Sequence, residues 1–162
     1  MSRSPALDPS FVELPLQRLA DAALQRARDF AVEHADFRLE RIRSQHLTLR
    51  DAQLQGAADG DELGLAVRVV LDGTWGFASS PVLTAEEAVR ATEQAIRVAQ
   101  VAAPMNTERI ELAPEPVHAA ETWVSAYDVD PFSVPTAEKV DLLAGWSAGL
   151  LAADAVQLSR GR

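Results

Sequence analysis

The sequence predicts an α+β fold, a twisted and mainly antiparallel sheet with helices packed on one face. Apolar residues recur with helical spacing in three segments, and between the first two of these segments they alternate with polar residues, as in half-buried strands. The dipeptide Asp72-Gly73 stands between two such alternations, which is typical of a tight hairpin between antiparallel strands. These observations predict both the sheet and the helices that cover it.

Residues 1–14 are predicted to form an arm, because prolines interrupt them and few of their positions are periodic. The first helix follows, with Pro15 in its first turn, where a missing N–H costs nothing. One apolar stripe runs along this helix and comprises Leu16, Leu19, Ala20, Ala23, Leu24, Ala27 and Ala31. We expect a single α+β domain over residues 15–162, because a chain of this length corresponds to about one domain.

Strand patterns follow the first helix. Alternating apolar and polar residues predict short strands at 37–40 and 47–50, and the glycines and aspartates of residues 51–61 predict a turn region. The strongest strand pattern covers residues 63–71, and residues 74–78 return along it.

The hairpin between the last two strands is predicted residue by residue. A two-residue type I′ turn needs positive φ at both central positions, which Asp72 and Gly73 tolerate. This turn pairs Leu71 with Thr74, Val69 with Gly76, and Val67 with Ala78. The opposite face of the hairpin then holds Trp75, Phe77, Val70 and the stem of Arg68.

The second helix is predicted to start at Thr84, which forms a capping box with Glu87, and to end before Pro104. Short strands are predicted near residues 110–112 and 122–127. A third helix is predicted over residues 136–153, with Val140, Leu143, Ala144, Ser147, Leu150 and Leu151 facing inward. Gly145 and Gly149 either weaken this helix by about 1 kcal/mol each or permit close packing.

A strand-like segment at residues 155–158 comes near the end of the sequence, with no partner after it. We therefore expect this chain to be the front part of a longer protein.

Composition excludes several classes of function. The formal net charge of -9 argues against nucleic-acid binding, which relies on basic surfaces. The absence of cysteine removes disulfides and thiolate ligands and fits the cytoplasm, where we expect the protein. No apolar run reaches the length of about 18 residues needed to cross a membrane, and the N-terminus has no secretory pattern.

No catalytic or metal-binding residue is predicted from motifs. The three histidines, His34, His46 and His118, are scattered, and no His-Glu-x-x-His or Gly-x-Ser-x-Gly pattern occurs. A calcium site could be considered at the acidic residues Asp59, Asp61 and Glu62. A calcium-binding loop needs oxygen ligands at alternate positions, and the next such position is Leu63, so a solvated turn is favoured.

Aromatic residues are the remaining candidates for a binding surface, and they are Trp75, Phe77, Trp123, Tyr127 and Trp146. We single out Arg68, Trp75 and Phe77 as an interface or substrate-access surface, although a core position for the two aromatics stays open.

The residues around the hairpin resemble a known family. The order is Gly64-Leu65-Ala66-Val67-Arg68, then Asp72 to Ser79, then Leu83-Thr84 and the alanine-rich helix. This pattern is similar to the N-terminal region of the TldD/PmbA family, metallopeptidase-like proteins also labelled modulators of DNA gyrase. The likeness covers most of residues 20–155, where Asp130-Pro131 and the segment from Lys139 resemble the family's next helix.

The resemblance implies that the full-length protein is a zinc metallopeptidase that acts on unfolded peptides. In this family the zinc site uses a His-Glu-x-x-x-His helix and a distant cysteine, and neither is present here. The chain alone is therefore expected to bind no zinc, to be inactive, and to shape substrate access and subunit assembly. A homo- or heterodimer with a TldD/PmbA-type subunit is the implied partner, with no contact to DNA or membrane. The alternative is a stand-alone protein-interaction module without enzymatic activity.

Overall fold

The computed structural model describes residues 7–116, 121–153 and 160–161. It confirms the α+β fold, with strands and helices that segregate into a sheet and packed helices. The elements are α1 (Pro9–Val12), α2 (Leu16–Asp29), β1 (His34–Arg50), β2 (Gln53–Leu71), β3 (Thr74–Ser80), α3 (Ala85–Ala102), α4 (Thr136–Leu151) and β4 (Arg160–Gly161). Within these ranges the sheet has the strand order β3-β2-β1-β4, and β4 pairs antiparallel with the last two residues of β1.

Two compact units divide the described chain. The larger unit comprises residues 7–41 and 62–123, and the smaller unit contains residues 42–61 and 124–153 with β4. Both boundaries in the first half of the chain fall inside β1 and β2. The arm at residues 1–14 and the single domain over residues 15–162 stay predictions.

The core of the larger unit lies between the sheet and the helices α2 and α3. Small side chains on the helices allow close packing on the branched side chains of β2. The buried cluster comprises Ala23, Leu65, Val67, Val69, Ala88, Ala91, Ala95, Ile96 and Ala99. Thr92 is buried in the same region, and its hydroxyl donates to the carbonyls of Ala88 (2.9 Å) and Ala23 (3.3 Å), so it links α3 to α2.

Gly76 marks the closest approach of β3 to α3. A Cβ atom at this position would lie 1.9 Å from the carbonyl oxygen of Ala95 and 2.9 Å from the amide nitrogen of Ala99. Both contacts are shorter than real Cβ atoms show, so the helix backbone lies against the strand backbone. A side chain at position 76 would have to push α3 away.

The hairpin between β2 and β3 is confirmed in turn type and in register. Asp72 and Gly73 have φ values of 50° and 68°, as a type I′ turn requires. The antiparallel pairs include Leu71 with Thr74, Val69 with Gly76 and Val67 with Ala78. The tip of the hairpin is held by Asn106, whose amide donates to the carbonyl of Gly73 (2.9 Å) and to the hydroxyl of Thr74 (3.0 Å).

The prediction of two short strands and a turn region at 51–61 is wrong. One continuous strand, β1, runs from His34 to Arg50, and β2 already begins at Gln53. The turn contains only Asp51 and Ala52, which have positive φ values of 49° and 60°. The glycines and aspartates of residues 53–61 are tolerated in a strand because its pairing with β1 orders the backbone, a non-local effect that local turn propensity does not register.

Of the other predicted elements, one helix is confirmed and two short strands are not observed. The helix capped by Thr84 is confirmed, since its hydroxyl accepts from the amide of Glu87 at 3.2 Å. No strand forms at 110–112 or 122–127. Instead the amide of Ile110 donates to the carbonyl of Gly73 at 2.8 Å. The strand-like segment 155–158 lies outside the described residues.

The third predicted helix exists as α4 and ends at Leu151. Its predicted inward face is confirmed at Ser147, which is 3% exposed, but Leu150 is 55% exposed and therefore does not face inward. The hydroxyl of Ser147 accepts from the amide of Ala52 at 2.9 Å, so this position serves the turn between β1 and β2. A Cβ atom at Gly145 or Gly149 would meet nothing within 4 Å, so close packing among the described residues does not explain these glycines.

Candidate interaction surface

The face of the sheet opposite α2 and α3 carries the candidate residues. Along β2, Leu65, Val67 and Val69 point into the helical core, so the alternate residues of that strand point to the other side. Across the hairpin, Val70 pairs directly with Trp75 and Arg68 pairs directly with Phe77. Directly paired residues have Cβ atoms about 4.5–5.5 Å apart. The structure therefore brings Arg68, Trp75 and Phe77 together, as the sequence predicts.

Arg68 is held in place by two neighbours. Its guanidinium carbon lies 4.5 Å from the centroid of the Trp75 ring, which is a cation–π contact. Its Nε donates to Oδ2 of Asp36 at 2.8 Å. One contact holds the guanidinium carbon over the ring and the other holds Nε, so the side chain is restrained at two points.

His34 and Asp36 complete the cluster from β1. Nε2 of His34 lies 3.3 Å from Oδ2 of Asp36, and the His34 ring meets the Trp75 ring edge-on with 6.4 Å between centroids. The sequence pattern predicts neither residue, because it starts this strand at residue 37. Phe37 packs against the core on the other face. His34 and Asp36 each lie an odd number of positions from Phe37, so extending the strand backwards would have placed both on this face.

Exposure varies across this surface, which we call the Arg-Trp surface and define as His34, Asp36, Arg68, Trp75 and Phe77. Val70 beneath it is 1% exposed, and the side chains of Arg68 and Asp36 are 46% and 32% exposed. Phe77 is 57% exposed, so its ring presents apolar area to solvent. Trp75 is half-buried, which makes it both a support for Arg68 and part of the accessible surface.

A cleft of about 340 Å³ adjoins Trp75 within the same unit. Its lining residues are Thr74, Trp75, Ala102, Met105, Asn106 and Ile110. The polar amide of Asn106 is already occupied by its bonds to the hairpin tip. The cleft is therefore suited to an apolar group that would pack beside the indole ring.

This surface offers charged, polar and aromatic groups that can bind a ligand. It holds one planar cation, one carboxylate, one imidazole and two aromatic rings. In the described ranges, no three His, Cys, Asp or Glu side chains gather in a group that could hold a metal ion. Over the same ranges, the helices are too short or too polar to cross a membrane.

The remaining candidates from the sequence lie elsewhere. His46 is exposed on β1, and His118 lies outside the described residues. Oδ1 of Asp59 accepts from the amide of Gln45 at 2.9 Å, within the smaller unit. Trp123 is 82% exposed in a segment without regular secondary structure.

Part of this chain matches a known protein family, and two curated proteins are similar to it. Residues 35–99 match the family described as PmbA/TldA metallopeptidase domain 1, a range that contains four of the five residues of the Arg-Trp surface. A metalloprotease of Methanocaldococcus jannaschii is 30% identical over 69 residues, which cover 43% of this chain and 15% of that protein. A metalloprotease of Methanothermobacter thermautotrophicus is 28% identical over 112 residues, which cover 69% of this chain and 23% of that protein.

Two solved structures share the fold. One, from Bacteroides thetaiotaomicron, is described as a candidate modulator of DNA gyrase and matches with a TM-score of 0.61 at 17% identity, over 89% of this chain and 33% of that one. The other, from Thermotoga maritima, carries the same description and matches with a TM-score of 0.52 at 21% identity, over 80% and 28%. This chain thus spans no more than a third of the length of these relatives.

Proposed function

Residues 35–99 of this chain belong to the TldD/PmbA family as its first metallopeptidase domain, and from this premise we propose a function for the whole chain. We propose that it is the N-terminal, non-catalytic domain of a TldD-like zinc metallopeptidase. Its role is to shape substrate access and subunit assembly for proteolysis at a zinc site that other residues supply. The observation that supports this role is the Arg-Trp surface, an aromatic and cationic patch with four of its five residues inside the matched range.

The zinc site itself is proposed to lie outside these 162 residues. The sequence contains neither a His-Glu-x-x-x-His motif nor a cysteine, and the described residues do not gather a ligand set. A zinc ion in the full-length protein would polarise the peptide carbonyl and activate water. The residues of this chain would contribute by holding substrate or a second subunit in place.

The partners follow from the same proposal. Trp, Phe and Arg are enriched in protein interfaces, and the Arg-Trp surface presents one of each. We propose a homo- or heterodimer with a TldD/PmbA-type subunit and an unfolded peptide as substrate. Contact with nucleic acid or membrane is not part of the proposal, since the net charge of -9 disfavours both phosphate-rich partners. The cytoplasm is the proposed compartment.

The test begins with the intact mass of the native gene product, isolated from its source cells with an antibody against this chain. We expect a mass well above 17.5 kDa, together with zinc and chelator-sensitive cleavage of an unfolded peptide. The purified 162-residue chain is expected to show neither zinc nor cleavage. Zinc-dependent cleavage by the short chain would refute the non-catalytic role. A native mass of 17.5 kDa would refute the longer enzyme and favour the stand-alone interaction module.

A substitution in the native-length enzyme separates access from chemistry. Phe77→Ala removes the exposed ring, so we expect KM for an unfolded peptide to rise severalfold while kcat changes little. Val82→Ala is the matched control, because Val82 is also half-exposed, at 50%, but does not belong to the Arg-Trp surface. Equal effects of the two substitutions would contradict a role for this surface in substrate access.

A further inference from the structure

The guanidinium group of Arg68 has an open edge. Its Nε donates a hydrogen bond to Asp36, and its central carbon lies over the Trp75 ring. The hydrogen bonds among the described residues leave Nη1 and Nη2 without an acceptor, and the side chain is 46% exposed. Each of these nitrogens carries two N–H bonds in the guanidinium plane, and one N–H from each nitrogen forms the parallel pair that binds a carboxylate through two hydrogen bonds.

This arginine is prepared for binding in a way that a solvated arginine is not. A free arginine loses side-chain entropy when it orders on a ligand, and the contacts of Arg68 with Trp75 and Asp36 reduce this cost in advance. Asp36 offsets part of the positive charge, but its carboxylate is itself engaged by both Arg68 and His34. A ligand carboxylate would thus bind at Nη1 and Nη2 of Arg68, which Asp36 does not occupy.

Phe77 supplies a second contact at a defined spacing. Trp75, which carries the guanidinium group, and Phe77 are two residues apart on β3 and point to the same side. Residues with this relation lie about 6.5–7 Å apart, which is also the spacing of residues i and i+2 in any extended peptide. A peptide lying along this strand could place a carboxylate on Arg68 and an apolar side chain on Phe77 at the same time.

We propose that the Arg-Trp surface binds an extended, unfolded peptide segment in which an aspartate or glutamate stands two residues from an apolar residue. The charge complementarity of the Arg68 edge selects the acidic side chain, and the exposed ring of Phe77 selects its apolar neighbour. A side-chain carboxylate fits better than a chain terminus, because the surface is one face of a sheet along which a segment can pass. The proposal rests on the proposed function, since it names the substrate class of the same surface.

The test is a binding titration of the purified chain with short peptides whose ends are blocked. One peptide carries a glutamate and a leucine two positions later, and its partner carries glutamine in place of glutamate. We expect weak binding of the glutamate peptide, with Kd on the order of 0.1–1 mM, and at least fivefold weaker binding of the glutamine peptide. Binding is followed by the NMR shift of the Trp75 indole N–H, which Trp75→Phe identifies, and should weaken as salt is raised.

Substitutions assign the two contacts. Arg68→Gln should lower the affinity for the glutamate peptide roughly tenfold, and Phe77→Ala should lower it severalfold. Arg90→Gln is the matched control, because it makes the same charge change at a side chain that is 70% exposed on α3, and it should leave the affinity unchanged. Arg68→Lys keeps the charge but not the planar pair of N–H groups, so it should still bind more weakly than the unchanged chain.

Several results would overturn the inference. Equal affinity for the glutamate and glutamine peptides would exclude recognition of the carboxylate, as would unchanged affinity in Arg68→Gln. If circular dichroism shows that Arg68→Gln is unfolded, unchanged affinity in Arg68→Lys overturns it instead. A glutamine peptide with a free C-terminus that binds as tightly as the glutamate peptide would assign the surface to chain ends. None of these measurements needs proteolysis. A failed binding test would overturn this inference alone, whereas the proposed function is tested separately by the native mass and by peptide cleavage.

Discussion

Replacing Gly76 by alanine tests whether the close approach of β3 to α3 stabilises the fold. The added Cβ atom would lie 1.9 Å from the carbonyl oxygen of Ala95, while an ordinary carbon–oxygen contact is about 3.3 Å. The strand and the helix must therefore separate by more than 1 Å, or the strand must twist away. Neither backbone can yield locally, because Gly76 pairs with Val69 of β2 and Ala95 lies in the middle of α3.

The magnitude follows from what a separation of this size does to the packed interface. A gap of 0.5–1 Å forfeits roughly a quarter to a half of each dispersion contact. The alanines of α3 make their contacts at short range, so all of those facing the sheet lose part of this energy together. Overpacking usually costs about 1–3 kcal/mol, and a clash with rigid backbone belongs at the upper end. The gain of about 0.5–1 kcal/mol from replacing a glycine within a strand offsets only part of it.

We therefore expect Gly76→Ala to lower the free energy of unfolding by about 2–2.5 kcal/mol, or Tm by roughly 4–10 °C. Urea and thermal unfolding followed by circular dichroism measure the change. Gly56→Ala is the matched control, since Gly56 also lies in a strand but its Cβ would meet nothing within 4 Å. Stability of Gly76→Ala within about 0.5 kcal/mol of the unchanged chain would refute the reasoning that backbone contact sets this interface.

Three further predictions concern turns and helices, and urea unfolding measures each of them. Ala52→Gly should stabilise the chain by up to about 1 kcal/mol, because alanine at a φ of 60° is strained and glycine is not; a loss of stability would contradict the strain. Asn106→Ala should destabilise by about 1–2 kcal/mol, because it removes both side-chain bonds to the hairpin tip; an unchanged midpoint would show that these bonds contribute nothing. Gly149→Ala should stabilise α4 by about 1 kcal/mol, since the position is open and alanine favours helix, and a loss here would indicate a contact beyond the described residues.

The parts of the fold that the sequence predicts correctly are those decided by nearby residues. The β2–β3 hairpin depends on two turn residues with positive φ, so its register follows from the local sequence alone. The start of α3 depends on a hydroxyl that reaches an amide three residues ahead. In both cases the stabilising contact lies within a few residues along the chain, where sequence pattern and physical cause coincide.

The same principle explains the errors. The glycines and aspartates of residues 53–61 favour turns locally, so local propensity predicts a turn region there. Pairing with β1 keeps these residues in a strand instead, and that pairing joins segments that only the folded sheet brings side by side. The exposure of Leu150 on α4 also depends on which elements pack against the helix, and helical periodicity does not contain that information.

In the candidate surface, too, the residues that are close in sequence were predictable and the distant ones were not. Arg68, Trp75 and Phe77 belong to one hairpin, so their alternation and the tight turn are sufficient to place them on a shared face. His34 and Asp36 reach the surface from a strand more than thirty residues earlier, with a separation of 32 positions between Asp36 and Arg68. The sequence by itself therefore determined the hairpin and the identity of its exposed side chains. Only the tertiary structure decided that Asp36 locks the arginine and that Gly76 meets α3, because both contacts form between elements that approach each other only on folding.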